Sequence, residues 1–147
     1  MGRALADTFE SLRGDVLDRL VGIRASIDEA YARIPDDVVR EQFDVVLGKI
    51  AGYLRNENVE QYRSFVSRWA AMREGEGFGA ENVIHSIVAV ADVVARSAQR
   101  RLEPSPERTA LIRAVMQVNA GAARMLVDGL ANRLAHLSAQ LKSGAAE

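Results

Sequence analysis

The sequence predicts an all-α protein: a bundle of about five helices that ends in one long C-terminal helix. Three observations carry this. Apolar residues recur every three or four positions over most of the chain, the repeat of one helical face. The three prolines, Pro35, Pro104 and Pro106, all fall where that repeat breaks. Alternating apolar and polar runs, the mark of half-buried strands, are almost absent.

The first helix is expected from about Thr8 to Arg33, with Asp7 and Glu10 as a capping pair. Phe9, Leu12, Val16, Leu20, Ile23, Ile27, Tyr31 and Ile34 hold its stripe. Gly14 and Gly22 sit on the opposite side, where a second chain packs closely or the helix is locally loose. Pro35 ends this helix and Asp36 can cap the next, from about Asp37 to Arg55. Val39, Phe43, Val46, Ile50 and Tyr53 form that stripe, widened by Leu47 and Leu54, and Asn56-Glu57-Asn58 is the turn out of it.

The stretch NVEQYRSFVSRWAAMREGEGFGAENVIHSIVAVADVVARSAQRRL, residues 58–102, organises the rest. Asn58 suits an N-cap, with Gln61 three residues on. Tyr62, Phe65, Val66, Trp69 and Met72 share one face, and Gly75 stands where a C-cap glycine belongs. The glycine-studded turn Gly75-Glu76-Gly77-Phe78-Gly79 separates this helix from one that restarts at Ala80, with Glu81 in its first turn. There Val83, Ile84, Ile87, Val88, Ala91, Val94, Ala95, Ala98 and Leu102 form a broad apolar arc. Asp92, Arg96, Gln99 and His85 lie opposite, and Arg100-Arg101 closes the helix in agreement with its dipole.

Ser105, Pro106 and Glu107 make a strong helix start. The last helix then runs to about Lys142, on the order of 50 Å at 1.5 Å per residue, longer than a domain body of about 30 Å. The small residues Ala120, Gly121, Ala122 and Ala123 let another helix approach. Leu130, Leu134, Leu137 and Leu141 are spaced four, three and four, a coiled-coil seam. It reads as the start of a dimeric stalk over about residues 130–142, with packing on the first helix as the alternative. Ser143 to Glu147 reads as a short polar tail with no further domain behind it, which leaves a sensor domain detached from its output or a stand-alone module.

Composition sets limits on function. The 147 residues suffice for one domain, residues 1–147, with a real core. A net charge of −1 gives no field to attract nucleic acid or anionic lipid. The absence of cysteine removes disulfides and thiolate chemistry and agrees with a cytoplasmic protein. The N-terminus, polar and acidic within ten positions, is no signal peptide, and no apolar run approaches the ~20 residues that span a bilayer.

The order of features resembles the N-terminal sensor domain of RsbR-type stressosome proteins, especially the RsbRD-type domain found at the front of some bacterial sensor kinases. The first helix leading into Pro35 and the helix over Val38 to Arg55, the unit NVEQYRSFVSRWAAMREGEGFGAENVIHSI, and the long last helix carry the resemblance, which covers most of Leu5 to Leu141. Arg73, Gly77, Phe78 and Glu81 are the matching positions. The resemblance implies a globin-like fold without haem, a homodimer, and a signal handed through the last helices to a STAS-domain or kinase effector in a stress response. No such effector domain is present in this chain.

No catalytic constellation stands out, and a non-enzymatic module is expected. His85 is the one haem-ligand candidate, but it lies about 140° from the centre of its helix's apolar face. His136 lies away from the leucine seam. The two histidines share no helix and lack a HExxH-type partner, so neither a metal nor a cofactor is expected. Ser86 adjoins His85, and neighbours on a helix do not face each other. The glycine turn lacks the preceding strand of a dinucleotide loop. Phe43, Tyr53, Tyr62, Phe65 and Trp69 could line a ligand cavity between the second and third helices, or simply be core. A haem or other ligand-binding sensor and a helical protein-interaction adaptor are the two rival readings.

Overall fold

A computed structural model describes residues 2–145, and among them the chain forms five long helices, one short helix and no strand. These are α1 (Gly2–Gly22), the short α2 (Arg24–Ile27), α3 (Asp36–Asn56), α4 (Val59–Gly75), α5 (Asn82–Arg101) and α6 (Pro106–Ala145), with a 3-10 turn over Glu29–Arg33. The most extensive packing pairs α1 with α3 and α5 with α6, while α4 touches α3, α5 and α6. The result is an all-α bundle with a long C-terminal helix. No helix among the described residues is long and apolar enough to cross a membrane.

The expected first helix is in fact three pieces. α1 starts at Gly2, so Asp7 and Glu10 lie inside it and cap nothing. It stops at Gly22 because side chains offer the backbone other partners. Arg24 Nη1 donates to the Val21 carbonyl (2.9 Å) and Arg24 Nε to the Tyr31 carbonyl (3.2 Å). Asp28, in extended backbone, caps the 3-10 turn by accepting from the Ala30 N–H (2.9 Å). The break swings Tyr31 into the core, where its hydroxyl meets Ser86 Oγ at 2.9 Å. Ile23, expected in the stripe, is exposed at the break. Neither Gly14 nor Gly22 has a neighbour that an added Cβ would touch.

At α3 the N-cap is Pro35, and Asp36 is the first helical residue. Its carboxylate takes Arg24 Nη2 (2.6 Å) instead of capping. Asn58 does cap α4, accepting from the Gln61 N–H (3.1 Å), and Ser105 caps α6 through the Arg108 N–H (3.0 Å). α6 continues past Lys142 to Ala145; of the expected polar tail, Ala146 and Glu147 lie outside the described residues. On α5, Val88 is exposed and Val90 and Val93 are buried in its place.

α1 is clamped to the end of α5 by one carboxylate. Asp15 accepts from Ser97 Oγ (2.7 Å), Arg100 Nη2 (2.9 Å) and Arg101 Nη2 (3.1 Å). Arg100 and Arg101 thus do more than match the helix dipole. The Ser97 hydrogen bond, then Arg101 and Arg100, hold the Asp15 carboxyl well below the usual carboxylate range. Its contribution to stability is complete above the unfolded value of about 3.9 and declines as pH falls below it. Asp15→Asn should cost about 1–3 kcal/mol at neutral pH. In acid titrations followed by circular dichroism, wild type should lose more stability than Asp15→Asn as pH drops from 5 towards 2. Parallel curves would refute the clamp.

Candidate functional site

The C-terminal turn of α4 gathers the unusual chemistry. Buried Tyr62, Val66 and Trp69 follow four- and three-residue steps, and the next step lands on Arg73. Arg73 is only 1% exposed, whereas Met72, expected on this stripe, is 55% exposed. The stripe therefore ends in a buried cation. The spacing from Trp69 was the signal for it, and its charge masked that signal.

Rings enclose the Arg73 guanidinium. Its carbon lies 4.7 Å from the Phe78 ring centroid, 5.4 Å from Tyr31 and 5.7 Å from Trp69. Nη2 donates to Gln42 Oε1 on α3 (2.6 Å). Nε and Nη1 are buried without a hydrogen-bond partner among the described residues. The nearest carboxylate among the described residues, Glu76, stands 3.9 Å from Nη1 and is about half exposed.

The glycine turn builds this cage. α4 closes with Gly77 at φ 92°, a left-handed conformation that glycine adopts without strain. The Phe78 N–H returns to the Arg73 carbonyl and the Gly77 N–H to the Glu74 carbonyl, both at 3.1 Å, a Schellman closure. Gly77, not Gly75, is therefore the capping glycine, since Gly75 is still helical. The closure folds Phe78 back over Arg73, so three of the four positions behind the family resemblance form one local unit. The fourth, Glu81, is the N-cap residue of α5, not part of its first turn, and its side chain makes no capping bond.

Beside the cage runs a groove of about 260 Å³ between α3 and α4. Gln42, Val45 and Val46 face Phe65, Trp69 and Met72, with Arg68 also in the wall. The five aromatic residues proposed from sequence as a cavity are distributed differently. Phe65 and Trp69, nearly parallel with centroids 6.1 Å apart, line this groove. Tyr53 and Tyr62 line a separate hollow of about 170 Å³. Phe43 is fully buried and packs on Tyr31. The Tyr62 hydroxyl donates to Asn119 Oδ1 (2.5 Å), while Asn119 Nδ2 donates to the Ile87 carbonyl (3.1 Å). This buried link between α4, α5 and α6 had no signature in the sequence.

Histidines stay out of the core. His85 is exposed on α5, and His136 is exposed on α6 beside Gln140 (3.3 Å). No cluster of metal-ligating side chains occurs among the described residues.

α6 has two regimes. Up to about residue 126 its inner face, with Leu111, Val115, Val118 and Ala122, is buried in the bundle. Gly121 belongs to this packing: the Arg63 side chain lies 3.2 Å from where its Cβ would be. From residue 131 to 144 every residue is exposed, so the leucine seam does not pack on α1. Leu134, Leu137 and Leu141 are 67%, 53% and 75% exposed, and Leu130 is half-buried. Where α6 leaves the bundle, both oxygens of Glu74 bind Arg133, at 3.0 and 3.1 Å. Arg133 holds the Glu74 carboxyl below its usual range. The seam also continues backwards beyond the sequence reading. Met116, Ala120, Ala123, Val127, Leu130, Leu134, Leu137 and Leu141 alternate four- and three-residue steps. They lie to one side of the buried face, with Ala123 and Leu130 partly buried at its edge and Met116 and Val127 half exposed.

Fold and site together define a helical bundle with a caged arginine and a projecting, tethered helix. No protein family, characterised protein or solved structure matches the chain.

Proposed function

We propose that the chain is a dimeric, non-enzymatic sensor or regulatory domain of the RsbR stressosome type. Its bundle takes no haem and receives the input, and α6 relays it to a STAS-domain or kinase effector in the cytoplasm. The observation that carries this reading is the exposed seam of Leu134, Leu137 and Leu141 on a helix that has left its own bundle. Apolar surface on this scale favours a partner, and an identical helix supplies the matching knobs and holes.

The heptad pattern suits pairing with a second copy of the same helix. Val127 and Leu134 fall at a positions and Leu130 and Leu137 at d, with the small Ala120 and Ala123 where the bodies come closest. Flanking positions carry Arg124, Ala131, Arg133 and Ser138, which place no acidic pair across the seam. The Glu74–Arg133 pair supports a relay role, because it ties the root of the stalk to α4 with an interaction weak enough to be remade. Sedimentation equilibrium of the purified chain tests the proposal: a dimer at micromolar concentration is expected, and a monomer overturns it.

A further inference from the structure

We propose that Arg73 anchors a site for a small amphipathic carboxylate whose apolar body lies in the α3–α4 groove. Its use as the input of the relay rests on the sensor reading above; the binding itself does not.

A buried cation is costly unless it is paired and hydrogen-bonded. Arg73 is buried to 1% exposure, yet among the described residues no carboxylate lies within hydrogen-bond distance and two of its nitrogens make no bond. Ring faces at 4.7, 5.4 and 5.7 Å stabilise its charge and hold its plane, but they accept none of these N–H groups. A guanidinium presents five donors in a fork that matches a carboxylate. The cage is thus a held cation with spare donors.

Arg73 does not itself line the groove, but two side chains are common to both. Trp69 and Gln42 belong both to the groove wall and to the surroundings of Arg73. Only the neutral Gln42 amide occupies Nη2, and Gln42 is half-buried on the face of α3. A carboxylate brings a full negative charge and two acceptor oxygens to the guanidinium fork, where Gln42 offers one neutral oxygen, and so displaces it. The rest of the wall is Val45, Val46, Phe65 and Met72, with Arg68 adding positive charge. Such a wall takes one aromatic ring or a short alkyl chain and disfavours a cationic head.

The position couples to the stalk. Arg73 precedes Glu74, which holds Arg133, and the Arg73 carbonyl accepts the Phe78 N–H that closes α4. A ligand that re-aims Arg73 therefore acts on the turn that tethers α6.

Trp69 is the sole tryptophan, so its emission reports on the groove directly. The probes are phenylacetate, 2-phenylethanol and phenethylammonium, which share one ring and differ in the head group. Phenylacetate should give a saturable change, with binding at least about ten-fold tighter than either of the others. Arg73→Met should abolish that preference. Should Arg73→Met not fold, Val45→Phe serves: Val45 is half exposed, so the fold tolerates the change while the groove fills, and phenylacetate binding should weaken about ten-fold. Equal binding of all three probes, no saturable response up to about 10 mM, or binding indifferent to the folded variants overturns the site.

Discussion

A Leu134→Asp, Leu137→Asp double variant is expected to sediment as a monomer at concentrations where the unaltered chain is a dimer. In the seam each leucine contributes roughly 1.5–3 kcal/mol on burial, and two per helix make four per dimer. Loss of these, with four carboxylates brought together, should weaken association by at least about a hundred-fold. The bundle should not notice. Residues 131–144 are exposed throughout and the Glu74–Arg133 tether is retained, so the urea midpoint measured below the dissociation point should stay within error. A variant that remains fully dimeric at micromolar concentration would remove α6 from the interface. A variant that also lost its fold would show that the end of α6 is part of the core, contrary to its exposure.

The second large effect separates core from groove. Phe43→Ala should destabilise the chain by about 3–5 kcal/mol, because Phe43 is fully buried and its loss leaves a cavity beside Tyr31. At this chain length that corresponds to a fall in melting temperature of roughly 10 °C. Phe65→Ala, on a half-buried residue of the groove, should cost only about 1–2 kcal/mol but shift the emission of Trp69, on which it stacks. The two alanine variants thus split the aromatic group proposed from sequence. Equal destabilisation would mean that Phe65 is core and that the groove is a packing gap, which would also count against the carboxylate site.

Helix existence was legible in the sequence because burial repeats at the helical period. The stripes on α1, α3, α4 and α5, the Asn58 and Ser105 caps, and the long C-terminal helix all follow from residue order and local chemistry. The leucine spacing on α6 was legible for the same reason. What the chain alone did not determine depended on partners distant in sequence. The break after Gly22 needs the Arg24 and Asp28 side chains, and Asp28 in turn holds Asn82, 54 residues away (2.8 Å). A periodic stripe continues across such a break without a mark, because periodicity records apolar spacing and not the direction of the axis. The burial of Arg73 is the clearest case. By residue type an arginine belongs to the surface, and local rules placed the end of the stripe at Met72. Only the fold brings Tyr31, Trp69 and Phe78, from three segments, around one guanidinium, because ring faces then supply the stabilisation that water would otherwise provide.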